Sequence, residues 1–212
     1  MRMRDHEYII KQIDYAIKTA WLEDVSKDYS SAKLLKEDTL KNSLYFHIRK
    51  RIDTLCDIYN LRIYTEYNES TLKANKMRAD IAIVELDLES SAGYLGDKVK
   101  KVLAIIELKH GSSIGYMSQD IHKLKKYKTI PELEGCQYYL GTLNEEGYAE
   151  RAFWLDKRQT NNWANECVTE LDACRYSNYN DAKMAFSIYS YNKLNSQLDI
   201  ENIEDMIYVD CL

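Results

Sequence analysis

The sequence predicts an α/β sandwich: a central mixed β-sheet flanked by helices, with an extra helix at the N-terminal end. Three observations carry this prediction. Hydrophobic residues recur at helical spacing in the first 59 positions and then shift to β-branched and aromatic runs. The chain holds only 7 Gly and 1 Pro, which suits long helices better than a many-turned all-β protein. With 212 residues, 45% of them hydrophobic, it can bury one sizeable core, so a single domain over residues 1–212 is expected, centred on about 34–143.

The elements follow in order. From Glu7 to Leu22 the residues Tyr8, Ile9, Ile13, Ala16, Ile17 and Ala20 form one stripe, predicting an amphipathic helix that packs on the core from outside. A longer helix is expected from about Leu34 to Tyr59. Its apolar side is Leu40, Leu44, Ile48, Ile52 and Leu55, and its polar side carries Lys41, Arg49, Lys50 and Asp53. Leu61 to Tyr67, Met77 to Leu86 and Lys101 to Lys109 read as three consecutive strands, separated by the polar stretch Asn68 to Lys76 and the Gly-containing stretch Glu89 to Lys100. After Gly111, a helix beginning at Ser112 or Ser113 runs through Ile121, Leu124 and Tyr127 and stops before Pro131. Cys136 to Leu143 is a fourth strand, Asn161 to Cys174 a helix, and Met184 to Tyr191 a fifth strand. The acidic tail from Asp199 to Asp210 suits a short helix and a strand equally.

Composition excludes several function classes. No run of about 18 apolar residues can cross a bilayer, and the start Met1-Arg2-Met3-Arg4-Asp5 lacks the apolar core of a signal peptide, so a cytoplasmic protein without membrane contact is expected. The five cysteines are dispersed and hold no Cys-x-x-Cys pair, which predicts free thiols and neither a disulfide framework nor a zinc site. The four histidines show no metal-ligand spacing, and there is neither a Gly-rich phosphate loop nor a Gly-x-Ser-x-Gly elbow. A net charge of -5 argues against a protein that coats nucleic acid nonspecifically. Local basic stretches at 47–51, 73–78, 98–101 and 123–128 can still line a track for phosphates. Eighteen tyrosines, apolar in the ring and polar at the tip, serve packing and stacking alike.

The strand Lys101-Val-Leu-Ala-Ile-Ile-Glu-Leu-Lys109 ends in an acid and a base two residues apart, Glu107 and Lys109, which face the same side. A buried strand gains nothing from such charges unless they are paired or reach solvent. In the preceding strand Asp80 opens the apolar run Ile81-Ala82-Ile83-Val84. If the two strands are neighbours, Asp80 and Glu107 converge.

Arg78-Ala79-Asp80-Ile81 followed by Ile106-Glu107-Leu108-Lys109 resembles the signature of the PD-(D/E)XK nuclease superfamily, with Ala79 where that family carries its Pro. The resemblance spans roughly 34–143 and implies a restriction-endonuclease-like fold and hydrolysis of phosphodiester bonds, most often of DNA, with RNA as the alternative. It further implies Mg²⁺, with Mn²⁺ as substitute, held by Asp80, Glu107 and the Leu108 carbonyl. Lys109 would act on the attacking water. Glu37, at the start of the long helix, is matched to the acid such nucleases bring from that helix, with Glu66 as its rival, and Gln119 and Lys123 on the following helix are auxiliary candidates. Arg49, Lys76, Arg78 and Lys126 are the candidate nucleic-acid contacts. A fold of this kind that has lost cutting and serves as an interaction module is the competing expectation, and a homodimer or a partner protein is compatible with either.

Overall fold

In the computed structural model, which describes residues 3–111, 114–148, 155, 163–164, 167–178, 181–190 and 207–210, side chains from alternating strand positions supply two apolar layers, one on each face of a seven-stranded sheet. The strands are β1 (Leu61–Tyr67), β2 (Ala79–Leu86), β3 (Val99–His110), β4 (Gln137–Tyr148), β5 (Val168–Asn178), β6 (Asp181–Ser190) and β7 (Ile207–Asp210), lying in chain order across the sheet. Pairing is parallel for β3 with β4 and β4 with β5, and antiparallel elsewhere, so the sheet is mixed as expected.

One face is covered by α1 (Met3–Thr19), its π-helical continuation Ala20–Val25, the short α2 (Ser26–Ser30) and the long α3 (Glu37–Tyr59). The α1 stripe Ile9, Ile13 and Ile17 is fully buried beside Leu40, Leu44 and Ile48 of α3. Within this layer Asp14 and Lys18 form a buried ion pair at 3.0 Å, and the Tyr139 hydroxyl donates to Asp14 Oδ1 at 2.7 Å. A buried ion pair of this kind needs such further hydrogen bonding to offset desolvation. The N-terminal helix is therefore part of the core rather than an outer addition.

The other face is covered by α5 (Ile114–Tyr127), the crossover that makes β3 and β4 parallel. Met117, Leu124 and Tyr127 pack there on Val84, Ile105, Tyr138 and Leu140. Between β1 and β2 the polar stretch contains a single helical turn, α4 (Ser70–Ala74).

α3 starts at Glu37, three residues later than expected, because Thr39 fixes the entry: its hydroxyl oxygen accepts the backbone N–H groups of Leu35 at 2.8 Å and Lys36 at 3.0 Å. Glu37 and Asp38 occupy the first turn, where the helix dipole favours acids.

The stretch from Asn161 to Cys174 corrects the sequence expectation. From Val168 onward it is strand β5, while residues 161–162 and 165–166 lie outside the described residues. Its alternation is hidden because Glu170 and Asp172 point inward with the apolar side chains. Thr142 Oγ1 donates to Asp172 Oδ1 at 2.6 Å, and the Leu155 N–H donates to Glu170 Oε1 at 3.0 Å. The acidic tail resolves as strand β7 over its last part, with 199–206 and Tyr191 outside the described residues. Lys41, expected on the solvated side of α3, is buried. Cys56, Cys136, Cys167 and Cys174 are free thiols, and Cys211 is not among the described residues.

Truncation of Ile48 to Ala, which empties space at the centre of the α3 contact, is expected to cost about 2–5 kcal/mol. Phe46→Ala, two residues away but 59% exposed, should stay within about 0.5 kcal/mol of wild type. Urea unfolding of both variants checks the assignment, and equal losses would overturn it.

Candidate active site at the splayed ends of β2 and β3

β2 and β3 part company where the sequence changes from apolar to charged. Their register ends at Ile81 opposite Ile106, yet β2 stays with β1 to Ala79 opposite Tyr67, and β3 stays with β4 to His110 opposite Leu143. The Leu108 N–H, left without a β2 backbone partner, donates to Asp80 Oδ2 at 2.8 Å. Both backbone polar groups of a strand residue point to the same neighbour, so the Leu108 carbonyl faces the same opening. On β4, Gly141 makes room on the opposite face of the sheet, where a Cβ would collide with the Leu108 side chain beside Trp21.

Asp80 and Glu107 lie on the α5 face, at the level where the strands separate. Glu107 is 1% exposed. Lys123 Nζ donates to its Oε2 at 2.5 Å, and the Tyr127 hydroxyl donates to its Oε1 at 2.8 Å while lying 3.1 Å from the Arg78 carbonyl. Burial, reinforced by the charge of Asp80 and opposed by Lys123, pushes the Glu107 carboxyl up to about 8.

Lys109 reaches out of the same face between two acids, 3.3 Å from Glu37 Oε2 and 3.4 Å from Asp120 Oδ2. Burial works against its charge, but Asp120, Glu37 and Asp80 outweigh that and hold the ammonium above its ordinary range. Asp120 is itself buried, and this raises its carboxyl in spite of Lys109 and Lys123.

A second group of charges stands across β2. Glu66 takes a left-handed backbone (φ 52°) inside β1, at the position facing Asp80 between the pairs Thr65–Ile81 and Tyr67–Ala79. Such a conformation is uncommon for a residue with a Cβ. The Glu66 carboxylate accepts a close hydrogen bond from Lys41 Nζ and pairs with Arg78 Nε at 2.8 Å, and the Lys41 bond holds its carboxyl below the usual range. Lys41 is raised in turn, Glu66 and then Asp80 overcoming the effect of burial.

Glu37, Glu66, Asp80, Glu107, Lys109 and Lys123 are thus brought to one opening, and Leu108 contributes backbone. Gln119 is exposed, and the adjacent Asp120 takes the inward position on α5 instead. Arg78 is exposed but tied to Glu66, whereas Lys76 and Lys126 are exposed on the surrounding turn and helix. Arg49 is not brought here: twelve residues beyond Glu37, about 18 Å along α3, it donates to the Tyr45 hydroxyl at 3.2 Å in a groove against β1. Sequence reasoning missed Asp120 and Lys41. The available signal was helical spacing, since Lys41 lies one turn after Glu37 and Asp120 three residues before Lys123.

Among the described residues no group of three or more His, Cys, Asp or Glu side chains is arranged to hold a metal ion. Asp80 and Glu107 are nonetheless hard oxygen donors beside a backbone carbonyl, a set that fits Mg²⁺, which keeps several waters and needs only one or two carboxylates. Burial, with a smaller contribution from Asp80, disfavours the charged form of Glu107, and a bound cation would offset both. Searches of protein-family models, curated proteins and solved structures found no match to this chain.

The raised Glu107 gives a signed pH dependence. Between about 4.5 and about 8 the folded protein keeps a proton on Glu107 that the unfolded chain has released, so metal-free stability should fall as pH rises through this window. Glu107→Gln is expected to flatten the slope. Urea midpoints at several pH values in chelator test this, and parallel wild-type and variant slopes would overturn it.

Proposed function

We propose that this chain is a divalent-metal-dependent phosphodiesterase acting on nucleic acid, with DNA as the first candidate substrate. The observation that carries the reading is the meeting of Asp80, Glu107 and Lys109 where β2 and β3 separate, with Lys109 clamped by Glu37 and Asp120. The resemblance to the PD-(D/E)XK signature, which rests on the same residues, agrees with it.

Asp80, Glu107 and the Leu108 carbonyl would hold Mg²⁺ or Mn²⁺, which when bound lowers the pKa of a water and offsets charge on the phosphate oxygens. Lys109 is held as an ammonium by its two acids, so its role is that of a donor: it orients the attacking water and counters charge developing on the phosphoryl group. Glu37, beside Lys109, would accept a hydrogen bond from that water. Lys123 and Tyr127 position Glu107. Arg78, exposed and paired with Glu66, would exchange that carboxylate for a phosphate of the bound strand.

A binding module that does not cut is the second reading. It is favoured by the engagement of both Glu107 oxygens, one by Lys123 and one by Tyr127, and by the acidic net charge.

Cleavage of plasmid, single-stranded DNA and RNA with Mg²⁺ or Mn²⁺ tests the first reading, with Lys109→Ala expected to lose about 100-fold or more in rate. Equal cleavage by both preparations would sink the assignment. In calorimetry with Mn²⁺, wild type should bind and Asp80→Asn should not. Absence of both metal binding and cleavage selects the module.

A further inference from the structure

Beside the charged opening, β1 and the segment leading into β3 enclose a cavity of about 350 Å³ that the proposed chemistry does not use. Its volume lies within the range of small-ligand pockets. Three tyrosines line it. Tyr64 and Tyr67 stack with ring centroids 6.0 Å apart and planes 16° from parallel, and Tyr94 is 53% exposed. The Tyr94 hydroxyl donates to Glu69 Oε1 at 2.7 Å, which fixes the ring. Gly96 makes this placement possible: a Cβ there would stand 2.6 Å from the Tyr94 ring and 3.1 Å from Glu69 Oε2. Tyr67 is 4% exposed, and its hydroxyl has no hydrogen-bond partner among the described residues. The exposed Asn68 and the carboxylate of Glu69 supply polar groups on the same wall.

Glu66 lines this cavity and also sits opposite Asp80, so the pocket lies one strand away from the Asp80–Glu107 pair. Neighbouring strands are about 4.8 Å apart, which makes the interval short on the scale of a nucleotide.

We propose that this pocket takes an unpaired nucleobase of the substrate strand, so that the protein acts on single-stranded or locally unstacked nucleic acid; the inference rests on the phosphodiesterase reading above. Aromatic rings bind any base through its face. Amide and carboxylate groups at the wall meet the hydrogen-bonding edge that only an unpaired base presents. Stacking also answers the problem set by a net charge of -5, because it holds a strand without relying on phosphate neutralisation.

The test is fluorescence anisotropy of the full chain in chelator, with a labelled single-stranded DNA 12-mer and the same sequence as a duplex. The single strand is expected to bind at least about ten-fold more tightly. Tyr94→Ala should weaken that binding about ten-fold, while Tyr94→Phe, which keeps the ring, should remain within about two-fold of wild type. Tyr94 is half-exposed, so neither variant should unfold the protein, and thermal midpoints verify this. Equal affinity for both probes, no single-strand binding, or an unchanged Tyr94→Ala would overturn the pocket. If Tyr94-dependent binding holds but cleavage does not depend on Lys109, the phosphodiesterase reading fails and the pocket stands.

Discussion

A carboxylate as deeply placed as Glu107 is the constraint around which one half of the sheet is arranged. Burying such a group uncompensated costs several kcal/mol, and its partners must therefore come from the elements that bury it. α5 provides Lys123 and Tyr127, one for each oxygen, which fixes the rotation of that helix about its axis and brings Asp120 inward. Asp120 then pairs with Lys109, and Lys109 reaches Glu37 at the start of α3. One buried acid thus links β3 and α5 directly and the opposite helical layer through a lysine.

The departure of β2 from β3 is the second half of the arrangement. A continuous antiparallel ladder would have closed the space between Asp80 and Glu107 with backbone hydrogen bonds. Ending the ladder at Ile81 lets a side chain replace a strand as the partner of Leu108. β1 and β4 each hold one of the diverging strands in place, so the opening is flanked by ordered sheet on both sides.

Much of this was legible in the sequence where polarity and burial agree. The apolar runs of β1 to β4, the α3 stripe and the shared face of Glu107 and Lys109 follow from simple periodicity, and Asp80 joins that pair because β2 and β3 are neighbours. Legibility failed where charged residues lie inside. Glu170 and Asp172 interrupt the alternation of β5 and made it resemble a helix, Lys41 looked like part of a solvated face, and Asp120 was overlooked beside the exposed Gln119. A single sequence assigns charge to the surface by default, and its errors therefore fall on buried charges. The left-handed backbone of Glu66 had no signal at all, because neither Gly nor Asn marks it.

That backbone turn at Glu66 also bears on how the molecule behaves in a crowded solution. β1 is an edge of the sheet, and a regular edge strand offers its unpaired amides and carbonyls to any other extended chain. A left-handed residue near its end breaks the flat repeat that strand addition needs, and the α4 turn follows immediately beyond. The same distortion that aims Glu66 at Lys41 and Arg78 thus guards the molecule against edge-to-edge aggregation.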